Sequence, residues 1–254
     1  MLLVIDVGNT ETVLGVFDGQ DLAAHWRVTT VRGRTQDEYR LLLGSMLEME
    51  GYARPKLSGV AVSSVVPPAT HALREVAGFL ADGPVLVVEP GVKTGMPILI
   101  DNPREVGADR IVNAVAAARL YGVPAVVVDF GTSTNFDVVS TNREYIGGVI
   151  STGLEVSQEA LIRATAALRR VELIPPRSVI GKGTVEAIQS GLLYGHAGLV
   201  DGIMNRILAE LGAETHTLAT GGLASTIVPY CDTVETVDEF LTLHGLRLIA
   251  EMNS

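Results

Sequence analysis

Two short acidic turns are the first places in this chain where side chains could carry chemistry. In the first, DVGNT, Asp6 ends an apolar run and Gly8, Asn9 and Thr10 follow it. A glycine turn after a buried strand lets backbone N–H groups approach phosphate oxygens, and Asn9, Thr10 and Thr12 add neutral donors. Because no lysine lies near this motif, Asp6 would act on phosphates through a cation such as Mg²⁺. Alone, the motif is also typical of a polar β-hairpin turn.

The second turn repeats the first about 123 positions later in the chain. The segment AVVVDFGTSTNFDVV at 125–139 matches LLVIDVGNTETVLGV at 2–16. The alignment pairs Asp129 with Asp6, Gly131 with Gly8, Thr132 with Asn9 and Ser133 with Thr10. Two such units indicate a duplicated fold. Facing turns in such a fold would form a phosphate cleft between the two halves, with Asp129 and Thr132 opposite the first turn.

A third segment, GADR at 107–110, offers a general base and an anion-binding group. Asp109 could accept the proton of an attacking hydroxyl, and Arg110 could bind an anionic substrate as a bidentate fork. Charges in the first turn of a helix also interact with the helix dipole without any catalytic role, so spacing alone leaves both interpretations open. The glycine turn ATGGLAS at 219–225 could likewise approach an adenine or ribose, or be only a strand-to-helix turn.

Composition and charge favour a cytoplasmic protein that acts on small molecules. The net charge of -10 gives no support to a nucleic-acid partner. The single cysteine, Cys231, and the spacing of the five histidines make a disulfide or a zinc site improbable. No apolar run approaches the roughly 18 residues of a membrane span, and we expect the N-terminus to form a strand rather than a signal peptide.

The elements that must position these residues alternate between strand and helix patterns, which predicts an α/β fold. Helices are expected at about 35–50, after Pro67-Pro68, and at about 104–121, 154–168 and 184–211, with a last one from about 239. We place the boundary between two domains at 1–115 and 116–254.

The chain resembles the type III pantothenate kinases, of the acetate kinase, sugar kinase, Hsp70 and actin superfamily, over almost its whole length. The shared motifs are DVGNT (6–10), NPREVGADR (102–110), DFGT (129–132), GG before TGLE (147–155), VIGKGTVEAIQSG (179–191), GLVDG (198–202), ATGGLA (219–224) and LTLHGL (241–246). Their order and spacing together are specific to that family.

The resemblance implies duplicated ribonuclease H-like (actin-like ATPase) domains with mixed β-sheets flanked by helices and an ATP cleft between them. It also implies ATP-dependent phosphorylation of pantothenate to 4'-phosphopantothenate, the first step of coenzyme A biosynthesis. The enzyme would be a homodimer that needs Mg²⁺ and a monovalent cation, K⁺ or NH₄⁺.

Residue roles follow from the same resemblance. Asp6, Val7, Gly8, Asn9, Thr10, Glu11, Thr12 and Val13 would hold ATP, together with Thr132. Asp109 would be the general base, and Gly107, Ala108, Asp109, Arg110 and Thr184 would bind pantothenate. Asp129 would coordinate the monovalent cation, and Asp6 is a possible Mg²⁺ ligand.

Several positions depart from the family pattern. Ile100 stands where many members have tyrosine, GTSTN replaces the usual GTATT, and Thr152 replaces a proline. Glu11 adds a negative charge beside the phosphate turn, which should repel ATP unless it faces away or helps to bind the metal.

Two alternatives stay open at this point. A non-catalytic relative would bind nucleotide and regulate a partner, but the intact Asp6, Gly8 and Asp109 disfavour it. A kinase for another small hydroxy acid or sugar is left open by Ile100, and a panel of substrates would distinguish it.

Overall fold

The computed structural model describes residues 1–52 and 56–254, which form two compact units. The first unit comprises residues 1–116 and 241–254, and the second comprises residues 117–240. The division predicted from the sequence, after residue 115, stays a prediction about domains. The units differ from it chiefly in the placement of residues 241–254, which pack with the first unit.

The first unit contains a mixed five-stranded sheet in the order β3-β2-β1-β4-β5. Its strands are β1 (Leu2–Val7), β2 (Glu11–Asp18), β3 (Asp21–Thr29), β4 (Gly59–Ser64) and β5 (Val85–Val87). β1 pairs antiparallel with β2 and parallel with β4. The central strand β1 is an almost uninterrupted apolar run, as expected of a strand covered on both faces, whereas edge strand β3 alternates between exposed and partly buried residues.

Helices cover both faces of this first sheet. They are α1 (Gln36–Met49), α2 (Pro67–Leu80) and α7 (Leu241–Asn253). A further helix, α3 (Ala108–Leu120), runs past the end of the unit and packs against α7. The side chains of Leu3, Ile5 and Val7 share a buried cluster with α1 and α2. Val4 points to the opposite face, where Gly15 is closely packed: a Cβ on Gly15 would lie 2.9 Å from Leu243 Cδ1 of α7 and 3.2 Å from Val4 Cγ2. Strand alternation places Asp6 on this second face, with Val4.

The second unit repeats the same sheet with the order β8-β7-β6-β9-β10. Its strands are β6 (Ala125–Phe130), β7 (Ser133–Val139), β8 (Tyr145–Thr152), β9 (His216–Thr220) and β10 (Thr236–Val237). Its helices are α4 (Leu154–Arg163), α5 (Thr184–Leu211) and α6 (Ala224–Ile227). The matching strand order and matching pairing directions confirm the predicted duplicated α/β fold.

The two copies of the hairpin differ in length by one residue. In the first copy Asp6 stands opposite Val13, and in the second Asp129 stands opposite Asn135. Residues 8–10 connect β1 to β2, whereas only residues 131–132 connect β6 to β7.

The hydrogen bonds of the two turns reflect this shortening. The Gly8 N–H donates to the Glu11 carbonyl at 2.9 Å, and the Gly131 N–H donates to the Ser133 carbonyl at 3.0 Å. Ser133 therefore corresponds to Glu11 and not to Thr10, with which the sequence alignment pairs it. The alignment is wrong at this position because a comparison without gaps cannot register a missing turn residue.

Three helix predictions require shorter bounds, while α5 begins and ends where the sequence predicts. The helix expected at 104–121 begins at Ala108, because Asn102 caps a separate 3-10 turn at Pro103–Glu105 and Val106 is extended. The helix expected at 154–168 ends at Arg163, and the last helix begins at Leu241. Within the described ranges, no helix is both long and apolar enough to cross a membrane.

Candidate active site

The β1–β2 turn exposes the backbone and side chains that could contact phosphates. Asp6 is the penultimate residue of β1, Gly8 is partly buried, and Asn9 and Thr10 are exposed. The Gly8 N–H is used within the turn by the Glu11 carbonyl at 2.9 Å. The exposed polar surface of the turn is therefore concentrated at Asn9 and Thr10.

Two other residues predicted to bind ATP have side chains that belong to the packing of the sheet. Val7 and Thr12 are both fully buried. The Thr12 hydroxyl lies 2.8 Å from the Thr30 hydroxyl, which ties the turn to the end of β3. A ligand at the turn could therefore contact Val7 and Thr12 only through their backbone atoms. Val13, also predicted to bind ATP, is partly buried.

Glu11, whose charge was expected to oppose ATP, has a cationic neighbour on the adjacent strand. Its carboxylate lies 3.4 Å from the guanidinium of Arg27. Glu11 stands opposite Thr29 across β2 and β3, so Arg27 is its diagonal neighbour on the same face of the sheet. The pair is about half exposed, so its attraction is screened by solvent, yet it offsets the negative charge beside the turn.

Ser63 is a polar residue beside the site that sequence reasoning missed. It stands opposite Asp6 in the parallel pair of β1 and β4, is fully buried, and its Oγ has no hydrogen-bond partner among the described residues. The only sequence signal is that a serine ends an otherwise apolar strand. Because paired residues of neighbouring strands project to the same face, its side chain lies on the face that carries Asp6.

Asp109 lies in the first turn of α3, at the same end of the first-unit sheet as the β1–β2 turn. The Val65 N–H, just after β4, donates to the carbonyl of Val7 at 3.1 Å, which fixes Val65 at the end of β1. A Cβ on Gly107 would lie 3.3 Å from Val65 Cγ1 and would collide with Asp109 Oδ1. The glycine therefore leaves room for the carboxylate against the end of the sheet.

The helix that carries Asp109 packs against the helix that covers the Asp6 face of the sheet. The Thr242 hydroxyl of α7 donates to Asn113 Oδ1 of α3 at 2.7 Å, so α3 and α7 pack together. Since α7 covers the face that carries Val4 and Asp6, α3 lies next to the helix on that face, and Asp109 lies at the end of the sheet where β1 finishes.

Burial controls the acidity of Asp109. Desolvation raises the pKa of its carboxyl above the usual value, and this effect outweighs the opposing hydrogen bond from the Arg110 backbone N–H, which donates to Oδ1 at 2.8 Å. A carboxylate with a raised pKa is a better proton acceptor, which is what a general base requires.

In the second unit, Asp129 and Thr132 lie at the equivalent strand end, held by two glycines. Gly221 has a φ of +92°, and a Cβ there would lie 2.5 Å from Asp129 Oδ1 and 2.7 Å from the Phe130 backbone. Gly153, the N-cap of α4, lies so close to the carbonyl of Thr132 that any side chain would collide with it. The third glycine turn thus supports Asp129 rather than standing apart from the site.

Asn135, one of the unexplained departures, faces Asp129 across the hairpin. Because the two residues are directly paired, their side chains lie on the same face of the sheet. The Asn135 Oδ1 is buried and has no hydrogen-bond partner among the described residues. Thr134, which corresponds to Thr12, is also buried, and its hydroxyl lies 2.9 Å from His196 Nε2 of α5.

Thr184 is the first residue of α5, on a different element from the other predicted pantothenate ligands. Gly107 to Arg110 lie in the first unit, whereas Thr184 lies in the second. Thr184 is exposed and lines a cavity of about 730 Å³ between α4 and the start of α5, together with Ser157 and Lys182. The rest of the lining includes Leu161, Ile188 and Leu192, so the cavity is largely apolar with a few polar or cationic groups.

No group of three or more His, Cys, Asp and Glu side chains could hold a metal ion within residues 1–52 and 56–254. The predicted acidic residues Asp6 and Asp129 each belong to a separate unit and a separate turn.

Comparison with known proteins identifies the relatives of the chain. The family model described as type III pantothenate kinase matches residues 2–206. The type III pantothenate kinase of Frankia alni is 56% identical over 254 residues, which is 100% of both chains.

Two solved structures share the fold at low sequence identity. Component A of the (R)-2-hydroxyglutaryl-CoA dehydratase of Acidaminococcus fermentans gives a TM-score of 0.59 at 15% identity, over 100% of this chain and 99% of that one. The inorganic polyphosphate/ATP-glucomannokinase of Arthrobacter sp. strain KM gives 0.51 at 16% identity, over 99% and 98%. These likenesses concern the fold alone, and they agree with the duplicated actin-like architecture.

Proposed function

The chain belongs to the type III pantothenate kinase family, and from this premise we propose how its residues carry out the ATP-dependent phosphorylation of pantothenate. That reaction is the first step of coenzyme A biosynthesis. The observation that best supports the assignment is the position of Asp109 at the end of the first-unit sheet where the β1–β2 turn follows Asp6. In this proposal a proton acceptor and a phosphate-binding turn act at that end of the sheet.

Asp109 is the general base in this proposal. The primary hydroxyl of pantothenate loses its proton to the Asp109 carboxylate as its oxygen attacks the γ-phosphorus of ATP. The bond between that phosphorus and the bridging oxygen breaks, and the electron pair leaves with ADP. Phosphoryl transfer needs mainly alignment and charge stabilisation, and good alignment alone can supply roughly 7 to 11 kcal/mol.

The β1–β2 turn, residues 6–13, holds the phosphates of ATP. Asn9 and Thr10 contribute their exposed side chains, while Val7 and Thr12 contribute backbone atoms because their side chains are buried. A single carboxylate suits Mg²⁺, which usually keeps several waters and takes its other ligands from phosphates, and Asp6 is the residue that would hold it. Bound there, the ion would neutralise phosphate charge.

The second turn holds a monovalent cation through Asp129 and contacts ATP through Thr132. The fit is supported by the Asn135 Oδ1, a buried carbonyl oxygen without a hydrogen-bond partner among the described residues, on the same face as Asp129. Carboxylate and amide oxygens are suitable ligands for K⁺ or NH₄⁺. The cation would offset the charge of Asp129 next to ATP.

Pantothenate is bound by Gly107, Ala108, Asp109, Arg110 and Thr184. The guanidinium of Arg110 would pair with the carboxylate of pantothenate, since a planar fork matches a carboxylate. Thr184 is an exposed hydroxyl at the N-terminus of a 28-residue helix, where an oxygen-rich ligand is favoured.

The enzyme acts as a homodimer in this proposal. Support comes from large apolar side chains left exposed in the second unit, including Ile146 and Ile150 on edge strand β8 and Ile180 before α5. Ile150 is 65% exposed and Ile180 is 81% exposed. Exposed apolar residues on an edge strand favour burial against a second chain.

The direct test is incubation of the protein with ATP, Mg²⁺, K⁺ and pantothenate, followed by detection of 4'-phosphopantothenate. Replacing pantothenate with other small hydroxy acids tests specificity at the partly buried Ile100. Absence of product with both K⁺ and NH₄⁺ would disprove the assignment.

A further inference from the structure

The charges around the β1–β2 turn do not balance those of ATP. Asp6 and Glu11 are both acidic, and the nearby cation Arg27 is already paired with Glu11 at 3.4 Å. A P-loop would place a lysine on the phosphates, but no lysine lies near this turn in the sequence. Mg²⁺ held by Asp6 would offset only part of the negative charge of ATP and of these carboxylates, so a further cationic group from another element would stabilise the bound phosphates.

The loop between β3 and α1, residues 30–35, is fastened to this turn by three contacts. The Thr30 N–H donates to the Thr10 carbonyl at 2.9 Å, and the Thr30 hydroxyl lies 2.8 Å from that of Thr12. Arg32 Nη2 donates to Asn9 Oδ1 at 3.4 Å. The last contact places an exposed guanidinium at the most exposed part of the turn.

The far end of the loop is fixed by α1. The Arg34 N–H donates to the Val31 carbonyl at 3.0 Å, and Thr35 caps α1 in a reciprocal pair of hydrogen bonds with Glu38. The loop therefore presents its side chains from a defined backbone.

Arg34 is a second cation in this loop, and one of its hydrogen-bond donors lacks an acceptor among the described residues. Its guanidinium carbon lies 5.3 Å from the centre of the Tyr39 ring, which is fully buried. Its Nη1 is buried and donates to no acceptor among the described residues. A buried charged donor without an acceptor is unfavourable, so an anionic oxygen would be a strong ligand for it.

We propose that Arg32 and Arg34 bind the phosphate chain of ATP and together take the place of the P-loop lysine. This inference rests on the proposed function and names residues outside the motif that predicted the ATP site. Guanidinium groups suit the role because they present several donors in one plane and remain charged.

The test measures binding of ATP, ADP and adenosine by Arg32→Gln and Arg34→Gln. Each variant should bind ATP about 10- to 100-fold more weakly, the loss expected for one hydrogen bond to a charged group, and bind adenosine as the unmodified protein does. The KM for ATP should rise while the KM for pantothenate stays constant. Arg32→Lys should recover part of the loss, because it keeps the charge without the fork.

The matched control is Arg40→Gln, which removes an exposed arginine of α1 that stacks 4.4 Å from the Phe79 ring, and it should leave ATP affinity unchanged. If Arg34→Gln does not fold, Arg34→Lys replaces it, with the same direction of effect. The inference would be overturned if substitution of Arg32 or of Arg34 left ATP affinity unchanged. It would also be overturned if adenosine affinity fell by the same factor as ATP affinity. Lack of pantothenate phosphorylation by the unmodified protein would instead refute the proposed function.

Discussion

In the proposed function, single residues at the end of the first-unit sheet separate proton transfer from nucleotide binding. Asp109 stands on α3 and is buried enough to raise its pKa, whereas the phosphate turn is built from backbone and from Asn9 and Thr10. A substitution that removes proton transfer should therefore leave nucleotide binding measurable, and the reverse should also hold.

Asp109→Asn should abolish most turnover while keeping ATP affinity. Because the amide is nearly the same shape but cannot accept the proton, kcat should fall by about 10² to 10⁴. The measurement is steady-state kinetics together with ATP titration. Asp18→Asn, at the exposed end of β2, serves as the control, and kinetics of Asp109→Asn like those of the unmodified enzyme would move the base elsewhere.

The pH dependence of kcat should reflect the titration of the Asp109 carboxyl. In the proposed function Asp109 works in its deprotonated form, so activity should fall as pH drops through its pKa, and burial raises that pKa above the usual range of an aspartate carboxyl. The free energy of unfolding changes with pH in the opposite direction. A carboxyl whose pKa is higher in the folded than in the unfolded protein stabilises the fold fully at pH values below its unfolded pKa. That contribution is lost as pH rises through the folded pKa. Asp109→Asn should therefore not lower Tm at neutral pH. A lowered Tm there would contradict the desolvation of the carboxylate.

The Glu11–Arg27 pair predicts a salt-dependent change in nucleotide binding. Arg27→Gln leaves the Glu11 charge unbalanced beside the turn, so ATP affinity at low salt should fall a few-fold, in keeping with roughly 1 kcal/mol or less for an exposed pair. The double variant Glu11→Gln/Arg27→Gln should recover it. Equal affinity for ATP in all three proteins would show that the pair does not influence the site.

At the scale of elements, the second turn depends on the close approach of neighbouring backbone segments. Gly221→Ala adds a Cβ at a φ of +92° and at 2.5 Å from Asp129 Oδ1. We expect a loss of about 1–3 kcal/mol in unfolding free energy and weaker activation by K⁺. Denaturant titration and K⁺ titration measure the two effects.

The control for that change is Gly78→Ala. Gly78 lies on the exposed side of α2 with open space where a Cβ would be, so alanine should stabilise by about 1 kcal/mol through helix propensity. If Gly221→Ala behaved like this control, the turn would be more adaptable than its geometry indicates.

Local pattern was sufficient to predict the repeated strands and the α5 helix at 184–211, because both depend on neighbours in the sequence. The ion pair of Glu11 with Arg27 and the position of Ser63 opposite Asp6 could not be predicted, since both depend on the register of separate strands. The start of α3 was predicted too early because the 3-10 turn at Pro103–Glu105 has the same composition as a first helical turn.

At the scale of the whole molecule, the duplicated sheet supplies two similar turns with different polar groups. The first carries Glu11 and the longer loop, and the second carries Asn135 and the shorter one. Duplication thus gave two strand ends that could be adapted separately, one for phosphates and Mg²⁺ and the other for a monovalent cation in the proposed function.

Dimer formation should depend on the exposed apolar side chains of the second unit. Ile150→Glu would place a charge on both copies of an apolar interface, so the dimer should dissociate at least tenfold more readily in sedimentation experiments. Leu41→Glu changes an equally exposed apolar residue of α1 and should leave the dimer intact. A monomeric unmodified protein at micromolar concentration would contradict the dimer itself.

The placement of α7 also has a consequence for the order in which the chain folds during synthesis. α7 packs on β1, β2 and β4, and Gly245 closely approaches the Val112 carbonyl, yet α7 follows the entire second unit in the sequence. At about 5–20 residues per second, a ribosome needs roughly 6 to 25 s to make residues 117–240. Throughout that interval the first sheet has one apolar face uncovered, so the unit that emerges first is the last to be completed.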